Sequence, residues 1–139
     1  MTPETGLFLA KARRLLGEAE GMLGIHYNEA AGRTAYLAGF HAAQALISDR
    51  TGRAVKTHSG VRTEFHRLIR GDTCFDGPLR DFLGSTYNLK AIADYETGPG
   101  ADVSSERAVQ AIQEAKLFVA KVAALLELDT QSAHGGNSP

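Results

Sequence analysis

From Ala35 to Ile47 the chain reads AYLAGFHAAQALI, and the uncharged stretch extends from Thr34 to Ser48. A helix built from it shows apolar or small side chains in every direction, so other elements must surround it. This is the central helix of the fold. Asn28 can cap its start. Gly32, Ala35, Gly39 and Ala42 form a narrow stripe on which another backbone can pack closely, at a modest propensity cost for each glycine.

Outward from that centre the remaining helices follow by period and punctuation. Thr2, Pro3 and Glu4 supply a hydroxyl cap, a first-turn proline and an acid at the positive helix end. Phe8, Ala12, Leu15, Ala19 and Met22 then step by four and three, and Gly24 closes this first helix. After Gly52 a basic connector leads to Val61, Phe65, Leu68 and Ile69, a short amphipathic helix that Gly71 stops. Asp76, Gly77 and Pro78 restart the chain as a fourth helix, with Leu79, Phe82, Leu83, Thr86, Leu89 and Ala93 on one face, broken at Gly98, Pro99 and Gly100. Ser104 with Glu106 opens the last helix, whose inner line is Ala108, Ile112, Ala115, Val119, Val122 and Leu126. From Gln131 the end QSAHGGNSP has too little apolar mass to order itself. The expectation is one helical domain over residues 1–128 and a flexible tail over 129–139.

Whole-chain numbers agree. The chain has 139 residues, about one domain's worth. Ala and Leu together outnumber Val and Ile by 36 to 11, a balance that favours an all-α fold over sheets. The uncharged stretch contains His41 and Gln44 and falls short of the ~20 apolar residues a membrane span needs. No basic segment followed by an apolar run opens the sequence, so no secretory signal is read, and a cytoplasmic, membrane-free protein is expected. The single cysteine, Cys74, cannot form an internal disulfide or a cysteine-built zinc site.

Most familiar catalytic patterns are missing. His26, His41, His58, His66 and His134 never form an HExxH pair, and no glycine loop ends in Lys and Ser or Thr, so neither a metal nor a cofactor is expected. His41, inside the least charged helix, reads as a buried, hydrogen-bonded imidazole. His58 opens His58-Ser59-Gly60 at a helix start, where a side chain can satisfy free backbone donors or bind a ligand. Asp94 ends the fourth helix, where the dipole disfavours an acid, so it needs a partner or a task. Charge is more informative. From Arg50 to Arg70 six basic residues (Arg50, Arg53, Lys56, Arg62, Arg67, Arg70) face one acid, Glu64, a balance of +5 that leaves −6 for the rest of a chain whose total is −1. Such a segment is a solvated helix face, or a surface for phosphate backbone or an acidic partner.

Three segments in order, AYLAGFHAAQALI (Ala35 to Ile47), KTHSGV (Lys56 to Val61) and LKAIADY (Leu89 to Tyr95), resemble the HEPN family, in particular its small prokaryotic branch with the pattern AYYAxFHAAxALL, KTHSG and a closing ADY. The likeness spans Asn28 to Tyr95; the first and last helices agree in type and length only. Thr34 stands where the family pattern has an arginine before Ala-Tyr-Tyr, with Arg33 one residue earlier, and Leu37 replaces the second tyrosine. The resemblance implies an up-and-down bundle of four or five helices, a homodimer, and a role as the toxin-type half of a pair with a nucleotidyltransferase-domain partner.

Active HEPN ribonucleases carry an Arg, four to six residues, then His, placed in a composite cleft that works without metal. The resemblance puts Lys90 and Tyr95 at those two positions, with Asp94 between them. Lysine keeps the charge without the bidentate fork, and a tyrosine of unperturbed pKa ~10 is a poor base at neutral pH. In this reading Lys90 contacts phosphate, Asp94 orients it or pairs with a cation, and Tyr95 donates a proton or is a target for nucleotidyl modification. A literal Arg-x4-His, Arg53 to His58, lies in the connector; ten arginines and five histidines produce such a match about once by chance. His58, Arg53, Lys56 and Arg62 are the expected ligand-binding residues, with RNA or a nucleotide as the ligand class. Two functions follow: a metal-independent endoribonuclease with a degenerate motif, or a non-catalytic nucleotide- or partner-binding helical module.

Overall fold

The computed structural model describes residues 1–98 and 102–135. They form five helices, α1 (Pro3–Gly24), α2 (Asn28–Thr51), α3 (His58–Leu68), α4 (Gly77–Tyr95) and α5 (Ser105–Gly135), packed as an all-α bundle with no strand among the described residues. The uncharged stretch is the axis. Along α2 every residue from Ala42 to Ser48 is buried, as are Ala31, Gly32, Thr34 to Tyr36 and Ala38 to Phe40, and α2 touches each of the other four helices.

Thr2 caps α1 as its sequence implies: its hydroxyl accepts from the Thr5 amide at 3.1 Å, and Thr5 returns the bond to the Thr2 amide at 3.3 Å. The Thr2 hydroxyl also lies 2.8 Å from the Ser48 hydroxyl, which pins the start of α1 to the end of α2. Asn28 does not cap α2. The α1–α2 turn closes early, with the His26 and Tyr27 amides bonded back to Leu23 and Met22, so Tyr27 takes the cap position and Asn28 is already helical. His26 carries the left-handed φ of 65° that lets the turn close so soon.

The small-residue stripe on α2 receives side chains, not a backbone. A Cβ at Gly39 would sit 2.9 Å from Cδ1 of Phe82, and one at Gly32 would sit 3.3 Å from Cδ1 of Leu89. The glycines open holes that two large α4 side chains fill, the close packing that protein interiors require. Phe82 stacks in turn on Phe118 of α5, ring centres 5.0 Å apart, and Phe118 also meets Phe65 of α3 at 5.0 Å and Phe75 of the α3–α4 connector at 5.9 Å. All four rings are fully buried.

Thr57 caps α3 and Ser104 caps α5, accepting from the Gly60 and Arg107 amides at 3.0 Å each. α4 ends at Tyr95; of the residues expected to break it, Pro99 and Gly100 lie outside the described residues. α5 runs past residue 128, where the bundle was expected to end, and stays helical to Gly135. Extending an existing helix adds a hydrogen bond for each residue fixed, without the cost of a new nucleus. Residues 136–139 of the expected tail lie outside the described residues. No helix among the described residues is long and apolar enough to cross a membrane.

Candidate functional site

Where α3 meets α2 and α4, Tyr36, His58, Ser59, Arg62, Leu83 and Tyr87 line a pocket of about 280 Å³. Three elements position it. Because Thr57 satisfies the open amide of α3, His58 is not spent on capping, contrary to one expectation for it. Its Nδ1 lies 2.8 Å from the Tyr36 hydroxyl instead. Its ring is held among Phe40 at 4.6 Å, Tyr87 at 5.5 Å and Tyr36 at 5.6 Å. Arg62 follows one helical turn later, so its guanidinium and the imidazole share one face of α3.

The electrostatics favour a neutral imidazole. Burial, then the positive charges of Lys90 and Arg33, hold His58 below its ordinary value, with Asp94 opposing them. Burial and the neighbouring Tyr87 push the Tyr36 phenol far up, against a smaller pull from Arg62, so Tyr36 stays a protonated hydroxyl. Arg62 brings a permanent cation to the pocket.

Beside this pocket lies the second cluster. Asp94 receives Lys90 Nζ at 3.0 Å and Arg33 Nε at 2.6 Å, and Lys90 Nζ also lies 3.5 Å from the Tyr95 hydroxyl and 5.0 Å from its ring centre. The acid at the helix end thus has the partners the dipole argument demanded. The hydrogen bond to Lys90 holds Asp94 below its usual range, and the same bond raises Lys90. Lys90 is largely buried while Tyr95 is 70% exposed. The structure therefore brings Lys90, Asp94 and Tyr95 together, and His58 with Arg62, as two adjoining groups.

Arg53 and Lys56 belong to neither. Arg53 reaches Glu64 of α3 at 3.5 Å, and Lys56 is exposed on the connector. The literal Arg53-to-His58 spacing thus joins two side chains with different surroundings. Tyr36, Tyr87 and Arg33 were not singled out as site residues. Tyr36 sits in the charge-free stretch and reads as core; Arg33 had a signal, standing one residue before the arginine of the family pattern. His41 is the hydrogen-bonded imidazole expected but is half-buried, not buried: its Nδ1 lies 2.7 Å from Gln44 Oε1, and Gln44 Nε2 donates to the Val55 carbonyl at 2.8 Å. Among the described residues no three His, Cys, Asp or Glu side chains gather as a metal-binding group.

A family model of the HEPN domain matches residues 6–125, most of the chain. The chain belongs to the HEPN family. No curated protein matches it. The HEPN match takes in α1 and most of α5, beyond the Asn28-to-Tyr95 span of the three motifs.

Burial also leads the causes that hold His41 below its ordinary value of 6.5. With His41 and His58 both lowered, the unfolded chain takes up protons that the folded HEPN domain refuses. Stability from these groups is therefore complete above about pH 6.5 and is lost as pH falls through that value. The melting temperature is expected to drop between about pH 7.5 and 5.5, and to drop less in His41→Gln. Equal melting temperatures at both pH values would show that neither imidazole is coupled to folding.

Proposed function

We propose that this HEPN protein binds RNA at the α3–α4 face and cleaves it without metal, with His58 as the acid–base group and Arg62 as the phosphate clamp. The observation that carries the reading is the pairing of a depressed imidazole with a guanidinium one turn away in a single pocket. A neutral His58 can take the proton of the ribose 2′-hydroxyl. The 2′-oxygen then attacks phosphorus, the bond from phosphorus to the 5′-oxygen breaks, and the leaving oxygen takes a proton from water. The products are a 2′,3′-cyclic phosphate and a 5′-hydroxyl. Arg62 offsets the charge that gathers on the phosphorane.

In this reading Lys90 and Asp94 are positioning residues. Each cation at Asp94 is already paired, so the cluster serves as a fixed, net positive wall that keeps His58 neutral. Arg53 lies outside the pocket, held by Glu64, while the exposed Lys56 contacts a phosphate further along the strand. The exposed Tyr95 phenol is the group a nucleotidyltransferase-domain partner would modify, which fits a toxin-type protein acting as a homodimer. A second reading, a non-catalytic nucleotide-binding module, is favoured by the pairing of Lys90 with Asp94, which removes the motif's own cation from service.

The test is a mixed RNA pool incubated with purified protein and EDTA. Fragments ending in a cyclic phosphate are expected, with Arg62→Ala slower by about 10²–10³-fold. An intact pool, with nucleotide bound but not turned over, would overturn the enzyme and leave the binding module.

A further inference from the structure

The ionisable side chains of α3 fall into two rows. On one side Glu64 gathers Arg53 and Arg67. On the other, His58, Arg62, His66 and, just past the helix end, Arg70 recur every fourth residue, the spacing that stacks side chains along one face. This row faces α4. His58 and Arg62 share the first pocket with Leu83 and Tyr87, and His66 Nε2 donates to the Arg80 carbonyl at 3.0 Å. A Cβ at Gly84 would lie 3.9 Å from Arg62, an ordinary contact distance, so Arg62 lies over this point of α4.

At the far end of the row His66, Arg70, Arg80 and Asp81 line a separate pocket of about 290 Å³. Arg80 is set in place there by its Nε, which donates to the Phe75 carbonyl at 3.1 Å and leaves its terminal nitrogens to bind. Two guanidiniums against one carboxylate leave a net positive charge in the pocket, which makes it an anion site.

We propose that this pocket is a second phosphate subsite, and that the protein takes a single-stranded RNA of several nucleotides along the α3–α4 groove, not a mononucleotide. The inference rests on the RNA reading of the first pocket. The two cations of the row, Arg62 and Arg70, are eight residues apart, a rise of about 12 Å and close to two phosphate steps of a stretched strand, and basic grooves that track a backbone in this way are how single strands are held. Guanidinium forks suit phosphate oxygens bidentately. RNA is favoured over an acidic protein chain because the groove runs on from the first pocket, where the ligand is read as RNA.

The test is fluorescence anisotropy of labelled, 2′-O-methylated oligouridylates of two, four and eight nucleotides. Wild-type affinity is expected to rise at least tenfold from the dinucleotide to the eight-mer. Arg70→Ala/Arg80→Ala removes that gain and lowers the salt slope by about 1.4, the share of two phosphates on a single strand, while dinucleotide binding is unchanged. Arg70→Glu, which keeps the Arg80 bond to Phe75, shifts eight-mer binding the same way and so separates the effect from loss of fold. Arg62→Ala weakens every length. Unchanged eight-mer affinity and slope in the double variant, with Arg62→Ala still weak, overturns the subsite and spares the first pocket. RNA of no length binding to wild type overturns both. Polyglutamate competing as well as the eight-mer overturns the RNA assignment in favour of an acidic protein.

Discussion

His58→Ala is expected to lower the single-turnover rate of RNA cleavage by about 10²–10⁴-fold, the usual contribution of a positioned acid–base group. The loss should fall on the chemical step, because Arg62 and the groove cations remain to bind. RNA affinity measured by anisotropy therefore changes little. The pH profile supplies the independent readout. The base must be neutral to act, and His58 is held below its ordinary 6.5, so the acidic limb of the wild-type profile has its midpoint below that value. Lys90→Ala removes a positive charge that lowers His58 and moves the limb to higher pH; Asp94→Asn removes the opposing negative charge and moves it lower. Tyr36→Phe deletes the hydroxyl 2.8 Å from Nδ1 and tests whether that bond holds the imidazole in place. A His58→Ala enzyme that retains wild-type rate, or a limb that ignores Lys90 and Asp94, would remove His58 from the mechanism.

What the sequence disclosed was what depends on near neighbours. Thr2 could be named as a cap because the amide it serves is three residues away, and α2 as the axis because fifteen uncharged residues leave a helix no solvent face. Asp94 could be said to need partners because the dipole at its own helix end opposes it. Which partners it finds is a different question: Lys90 lies one turn back, but Arg33 is on another helix, and only the packing of α2 on α4 brings it to 2.6 Å. The same limit separates Arg53 from Arg62. In sequence Arg53 makes the motif with His58; in space Glu64 takes Arg53, and the helical period hands the pocket to Arg62. Phe75 was passed over because a lone aromatic in a connector carries no period, although it is fully buried against Phe65 and Phe118.

The contact between Gly39 and Phe82 yields the largest expected loss of stability, and it is a prediction about a pair. Phe82→Ala should cost about 3–5 kcal/mol, as for other fully buried phenylalanines, out of a total of about 5–15 for a domain of this kind. Gly39→Ala should cost about 1–3 kcal/mol, because its new methyl would meet the Phe82 ring, which is fully buried and stacked on Phe118 and so has little room to move. In the double variant the methyl enters the space the ring has left. The costs should then fall short of additivity by about 0.5–3 kcal/mol, measured by urea denaturation with the slope unchanged. The pair also reaches the site. Phe82 precedes Leu83 and lies little more than one turn before Tyr87, both in the pocket wall, so a displaced ring carries α4 away from His58. Gly39→Ala alone should therefore weaken RNA binding at temperatures where the domain is still fully folded, and Phe82→Ala added to it should restore part of that binding while the protein remains less stable than wild type. Strict additivity of the two stability losses would mean that the small stripe on α2 is incidental to how α4 is seated.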